Sequence, residues 1–369
     1  MKLSITRSNL DTCLTRVAGT IPSRSALPIL SNVLVETTET GLRMSSTDLD
    51  AWIRTEVPAE IQTQGSTTLP GATLRAVVRN LGPSTVEIHV EEDRLHLTCG
   101  KASFTLNGMP AADFPNLPKV DFDTPWTIHR SALVELIDRT SYAVSTEDSR
   151  PILNGVLWEL KNRSMKMVAT DGHRLAAYGR TIDITDEVGV DLIVPPLALK
   201  SARTLFQGSG TVDVARNENY LAFRMDQTEV YTRLIEGRYP NYRQVIPQTG
   251  DHAATIPKKE LVTAIARISP ITSDANRIRV TFTESRLVAE ASSPDLGRAV
   301  DEVEIEYDGA EMAIGFNANY LKEALSHMSG DDVLFTFQSP ERAVVMRPVE
   351  QDDDDSDYLC LVMPLRLLD

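Results

Sequence analysis

Apolar and polar positions alternate over residues 86–99 (VEIHVEEDRLHLTC), 212–225 (VDVARNENYLAFRM) and 333–346 (VLFTFQSPERAVVM), each run broken by polar turn residues. A period of two with a polar break predicts three pairs of β-strands. Elsewhere the period lengthens. Residues 8–17, 130–143 and 258–268 read as helices, and in the second of them Leu133, Leu136, Ile137 and Thr140 recur at helical spacing. A further set, 67–82, 192–208 and 313–330, opens on apolar residues and continues as a helix just ahead of each strand pair. The order helix, strands, helix, strands is therefore written three times, in units of roughly 120 residues.

One stretch anchors the repeat. Residues 169–176 read ATDGHRLA, where the polar run Thr170 to Arg174 interrupts apolar positions that resume at Leu175 and Ala176. Gly172 can take a positive φ without steric cost, and Asp171 can bond its own downstream backbone, so a tight turn between two strands is expected. Residues 44–52 (MSSTDLDAW) carry the same pattern, with Thr47 and Asp48 standing 123 positions before Thr170 and Asp171. Residues 27–36 (LPILSNVLVE) and 150–159 (RPILNGVLWE) align at that same offset, and 276–282 (NRIRVTF) is a weaker third copy. Proline and asparagine cluster at 112–120 and 239–250, which places linkers there. Three α+β domains of one type follow, at 1–120, 121–250 and 251–369. The period is far above that of a solenoid repeat.

Composition narrows the classes. Three cysteines (Cys13, Cys99, Cys360) lie far apart with no CxxC, which favours a reducing compartment over a zinc site or disulfide frame. No apolar run reaches 18 residues and the N-terminus lacks a signal-peptide core, so a cytoplasmic protein without membrane association is expected. Net charge is −15, which alone argues against a polyanionic partner. Its distribution argues otherwise: the six predicted helices hold eleven bases against five acids. Helices facing a polyanion, with acidic strands and loops facing solvent, would hold DNA without sequence choice.

Candidate chemistry is sparse. Asp171 and His173, with Arg174 as oxyanion partner, sketch a hydrolase, but no nucleophile motif accompanies them. Gly100-Lys101 lacks the leading Gly and following Ser/Thr of a phosphate loop, and no GxGxxG occurs. The acidic run 351–357 (QDDDDSD) lacks the turning Gly and closing Glu of a calcium loop and reads as a solvated hairpin loop. The tail 358–367 (YLCLVMPLRL) is apolar where chain ends usually fray, and is expected to dock in or beside a groove.

Taken with GRYPNYRQVIP (237–247), GFNANYL (315–321), PAADFPNLP (110–118) and TDGHRLA, this tail makes the chain resemble the bacterial DNA polymerase III beta subunit, the sliding clamp, over essentially its whole length. The resemblance implies an α+β fold of three repeated DNA-clamp (processivity-fold) domains, each two helices packed on antiparallel sheets. Two such subunits join head to tail as a ring around duplex DNA, with twelve helices lining the hole. It implies a tether for the replicative DNA polymerase, with no catalysis and no cofactor or metal. Partners would be duplex DNA, a second copy, the polymerase alpha subunit, the clamp-loader complex, and other polymerases and repair proteins.

Carried over by position, the resemblance implies a partner-peptide cleft of Leu153, Thr170, Gly172, His173, Arg174, Leu175, Pro240, Val245, Asn317, Tyr320, Val362, Met363, Pro364, Leu365 and Arg366. Leu175, Val245, Val362, Met363 and Leu365 would be its apolar floor, and His173, Arg174, Asn317 and Arg366 its hydrogen-bonding rim. An extended peptide of Gln-Leu-x-Leu-Phe-like pattern would fit. DNA contacts are expected from Arg24, Arg75, Arg79, Arg139, Lys200, Arg203 and Lys259. The dimer would pair strands near 101–106 and 296–303, using Lys101, Phe104, Ile271, Leu296 and Glu302. Three departures from the family stand out. Gln244 replaces a rim Arg, Pro196 and Leu197 replace an Arg-Lys pair, and Leu368 and Asp369 extend past the usual terminal Arg-Leu.

Overall fold

The computed structural model describes residues 1–161, 164–181, 189–247, 250–272, 276–350 and 356–367. Its strands pair antiparallel throughout the described residues, in four sheets of five, eight, eight and four strands. Six α-helices accompany them: α1 (Arg7–Val17), α2 (Gly71–Arg79), α3 (Arg130–Thr140), α4 (Pro196–Leu205), α5 (Lys258–Ile268) and α6 (Ala318–Ser326). Each expected helix is present. The first starts one residue early because the Thr6 hydroxyl accepts the Asn9 N–H at 3.1 Å and caps it. Pro196 opens α4, where a missing N–H costs nothing.

Packing divides the chain differently from repetition. One compact unit combines Met1–Ser131 with Leu197–Leu234, the other Ala132–Pro196 with Ile235–Asp369. In the first, Thr228–Arg233 from the second repeat pairs with Ala51–Pro58 from the first, in the register Thr232↔Ala51. Each repeat thereby contributes four strands to one eight-stranded sheet. α1 lies on this sheet through Leu10, Cys13, Leu14 and Val17, one apolar face at helical spacing. The unit's other sheet runs from Glu60–Thr63 to Ala102–Asn107, with Lys2–Thr6, Thr85–Glu91 and Arg94–Cys99 between them.

The second unit repeats the arrangement. Arg174–Thr181 pairs with Ser356–Val362 from Arg174↔Val362 to Arg180↔Ser356, joining the second repeat to the third in another eight-stranded sheet. The four-stranded sheet ends at Gly297–Glu304 on one side and Met312–Asn317 on the other. α5 and α6 bury Leu261, Ala264, Ile265 and Ile268, and Ala318, Leu321, Ala324 and Leu325. Lys258 Nζ donates to the Met328 carbonyl at 2.7 Å and ties the start of α5 to the residues after α6.

The short strands Lys2–Thr6, Trp126–His129 and His252–Pro257 open the repeats ahead of the expected helices. Each runs directly into the helix that follows it and pairs with a strand distant in sequence, so no hairpin pattern marks it.

Candidate functional site

The turn at 170–174 is built by its own side chains. Asp171 Oδ1 accepts the N–H groups of His173 and Arg174, both at 2.9 Å, and the Thr170 hydroxyl donates to the Arg174 carbonyl at 2.6 Å. Gly172 takes φ +89°. The first repeat closes its turn the same way. Asp48 Oδ1 accepts the N–H groups of Asp50 and Ala51 at 3.1 and 2.8 Å, and Leu49 takes φ +82°. These bonds span at most four residues, which is why the motif shows in the sequence.

What differs between the copies is Arg174, which stands where the first repeat has Ala51. Its Nε donates to Asp171 Oδ2 at 3.1 Å, one terminal nitrogen to the Tyr142 carbonyl at 2.9 Å, and the other to Glu323 on α6. The guanidinium lies 4.6 Å from the Tyr320 ring centre, and its side chain is only 11% exposed. Burial disfavours its charge, but the carboxylates of Glu323 and Asp171 outweigh that and raise its pKa above the ordinary arginine value. Arg174, expected on a hydrogen-bonding rim, is therefore committed to partners within its own chain. Asn317 is likewise engaged, its side chain accepting the N–H groups of Asn319 and Tyr320 as the N-cap of α6. Of the expected rim, His173 and Arg366 remain exposed.

The residues expected as an apolar floor are also placed differently from one another. Leu153, Leu157, Leu175, Val345, Leu359, Leu361, Tyr239 and Tyr242 belong to one cluster, with Ile152 and Ile246 packed against it. Side chains alternate across a strand, so Val362 lies on the opposite sheet face from Leu361 and Leu175, and is 1% exposed. Its neighbours on that face, Tyr358 and Cys360, meet the Tyr142 hydroxyl at 3.4 and 3.1 Å. Leu361, and not Val362, shares the sheet face of Leu175. The alternation in YLCLV, with leucine at 359 and 361, was the available signal. Val245 and Met363 are exposed, at 54% and 38%, and Pro240 is exposed as well.

The tail is docked, as its apolar character requires. The Leu365 N–H donates to the Gly315 carbonyl at 2.8 Å, and a Cβ on Gly315 would lie 2.3 Å from the Leu365 carbonyl oxygen. A cavity of about 670 Å³ opens beside it, lined by Gly315, Pro340, Glu341 and residues 364–367. Leu368 and Asp369 lie outside the described residues. So does most of the acidic run. Its Asp357 pairs with Lys166 at 3.2 Å, and among the described residues no cluster of His, Cys, Asp and Glu could hold a metal.

The helix bases are less uniform than the charge count suggests. Arg16 donates to the hydroxyls of Thr55 and Thr228, Arg130 to the Phe206 carbonyl, and Lys258 to that of Met328. Arg139 lies 4.6 Å from the Tyr178 ring centre and Arg267 pairs with Asp301 at 3.0 Å. Arg75 is half-buried. Arg24, Arg79, Lys200, Arg203 and Lys259 are exposed.

The expected interface strands are both sheet edges: Ala102–Asn107 ends the five-stranded sheet and Gly297–Glu304 the four-stranded one. Lys101 is exposed, Phe104 and Ile271 are half-buried, and Leu296 is 60% exposed. Glu302 already pairs with Arg286 of its own chain at 3.1 Å.

The hydrolase sketch does not survive. The Asp171 carboxylate is consumed by the turn and by Arg174, and Arg174 is held by Glu323 and Tyr142, so neither is presented as a reacting group.

The chain matches the DNA polymerase III beta subunit in all three of its domain profiles: N-terminal over residues 1–118, central over 127–241 and C-terminal over 243–366. The beta sliding clamps of Pseudomonas aeruginosa and Caulobacter vibrioides are each 32% identical to it, over the whole of both chains. The crystal structure of the Bacillus subtilis DNA polymerase sliding clamp superposes with a TM-score of 0.94 at 27% identity, again covering 100% of both chains. That of the DNA polymerase III subunit beta from Pseudomonas aeruginosa gives 0.93 at 31% identity, with the same coverage.

Proposed function

The chain belongs to the DNA polymerase III beta subunit family, and on that premise we propose which of its residues perform the work of a sliding clamp. The role is that of a processivity factor in DNA replication, without catalysis of its own. Its three domains we assign to 1–120, 121–250 and 251–369, and its location to the cytoplasm. No helix among the described residues is long and apolar enough to cross a membrane.

The observation that carries the assembly is the pair of edges, at Ala102–Asn107 and Gly297–Glu304, that no strand among the described residues covers. An unpaired edge invites another strand, and pairing the first edge of one copy with the second edge of another satisfies both. Repeated in both directions, this head-to-tail contact closes a two-subunit ring. Phe104, Ile271 and Leu296 supply its apolar contacts, with Lys101 facing Glu302. Arg24, Arg79, Lys200, Arg203 and Lys259 hold the encircled duplex through its phosphates, with smaller contributions from Arg75 and Arg139.

The polymerase alpha subunit, the clamp loader and repair proteins dock by short peptides in the groove of the second unit. Leu153, Leu175 and Leu361 form its floor, and Met363 with residues 364–366 its far wall. Light scattering tests the assembly directly, the expected mass being about twice the 40.8 kDa of the chain. A monomer at micromolar concentration would overturn the ring.

A further inference from the structure

From the contacts around Arg174 we infer that Glu323 is a positioning residue for the peptide groove, acting through Arg174 without touching the peptide. The inference rests on the groove proposed above. Glu323 lies on α6, in the third repeat, and Arg174 ends the turn of the second, 149 positions away. Their ion pair joins the two repeats at the point where the groove is proposed to run.

The geometry assigns the direction of the effect. Three acceptors on three separate segments hold the guanidinium: Asp171 in the turn, the Tyr142 carbonyl after α3, and Glu323 on α6. Asp171 and Tyr142 fix where it starts from, and Glu323 adds an ion pair to the helix that carries Tyr320. The Tyr320 ring packs on that guanidinium at 4.6 Å and stands 6.5 Å from the ring of His173, a residue of the proposed rim. Charge-assisted bonds of this kind are directional, so removing the carboxylate leaves the guanidinium held only from the second repeat's side and loosens the Tyr320 ring that packs on it. The first repeat has Ala51 in place of Arg174 and so cannot make this clasp.

The Glu323 carboxylate is about half exposed, so Glu323→Gln removes its charge without opening a cavity. The test measures binding of a fluorescein-labelled Gln-Leu-Ser-Leu-Phe peptide to the full chain, with thermal midpoint in parallel. Glu323→Gln is expected to weaken binding about fivefold, near the upper end for a partly exposed ion pair. Glu323→Asp should recover part of the loss, and the thermal midpoint should barely move. In an Arg174→Met background, Glu323→Gln should change peptide affinity by less than about twofold, because the group it acts through is gone. Unchanged or tighter binding by Glu323→Gln, or an equal loss in both backgrounds, overturns the inference. Failure of the unsubstituted chain to bind the peptide would instead overturn the groove itself.

Discussion

The Met363 N–H donates to the His173 carbonyl at 2.8 Å, so the start of the tail is pinned to the turn. The same bond occurs in the first unit, where the Arg233 N–H meets the Asp50 carbonyl, also at 2.8 Å. In the second unit the chain then continues over Gly315, and the half-exposed Met363 stands beside His173. The tail is thereby docked and not a loose end, as a wall of the proposed groove must be.

Removing residues 363–369 should therefore weaken peptide binding far more than it weakens the fold. Burying one large apolar anchor contributes roughly 1.5–3 kcal/mol. At about 1.4 kcal/mol per tenfold, loss of its wall costs some ten- to hundredfold in affinity. Gly315→Ala should produce part of the same loss by pushing Leu365 away. Fluorescence anisotropy with the labelled peptide reads both, and wild-type affinity in the truncated chain would place the groove elsewhere.

Dimerisation should depend on the apolar residues at the two edges. Leu296→Asp, and separately Phe104→Asp, are expected to shift the sedimentation coefficient from dimer to monomer at micromolar protein. Each introduces a charge where two strands would meet, while the chain's own sheets lose no strand pairing. A dimer that tolerates both would show that these edges are not the contact.

For DNA, the exposed helix bases should matter collectively and without regard to sequence. Reversing Arg79 and Arg203 together to Glu is expected to shorten retention on closed circular duplex and flatten its salt dependence. Light scattering should still report a dimer. If retention matched the unsubstituted chain at every salt concentration, the phosphate contacts would lie on other residues.

Acid should destabilise the first unit in part through Glu56. Burial alone would raise its pKa, but hydrogen bonds from Thr38, Thr40 and Arg43 outweigh this and hold it below the ordinary carboxylate value. A depressed folded-state pKa contributes stability that is fully present above the unfolded value, about 4.3. It is lost as pH falls through the folded value. Glu56→Gln should lower the urea midpoint at pH 7, and the gap to the unsubstituted chain should close on acidification below about pH 4. A gap independent of pH would mean that packing, and not charge, is what Glu56 contributes.

The sequence by itself determined the threefold repeat, the helices, the three alternating strand pairs and the Thr-Asp turn. The helices, hairpins and turn rest on interactions between residues close in the chain, so spacing records them. Thr170, Asp171 and Gly172 close their turn with bonds that reach no further than Arg174. The tertiary structure alone decided how the repeats share their sheets, because strand pairing such as Arg174↔Val362 joins positions with no common period. It likewise decided that Leu361, and not Val362, faces Leu175, since that depends on which sheet face the third repeat turns toward the second. The fate of the helix bases was equally hidden: a count of charges cannot tell Lys200, exposed on α4, from Arg139, laid against Tyr178. Charge acts where the fold carries it, and only the packing of distant segments says where that is.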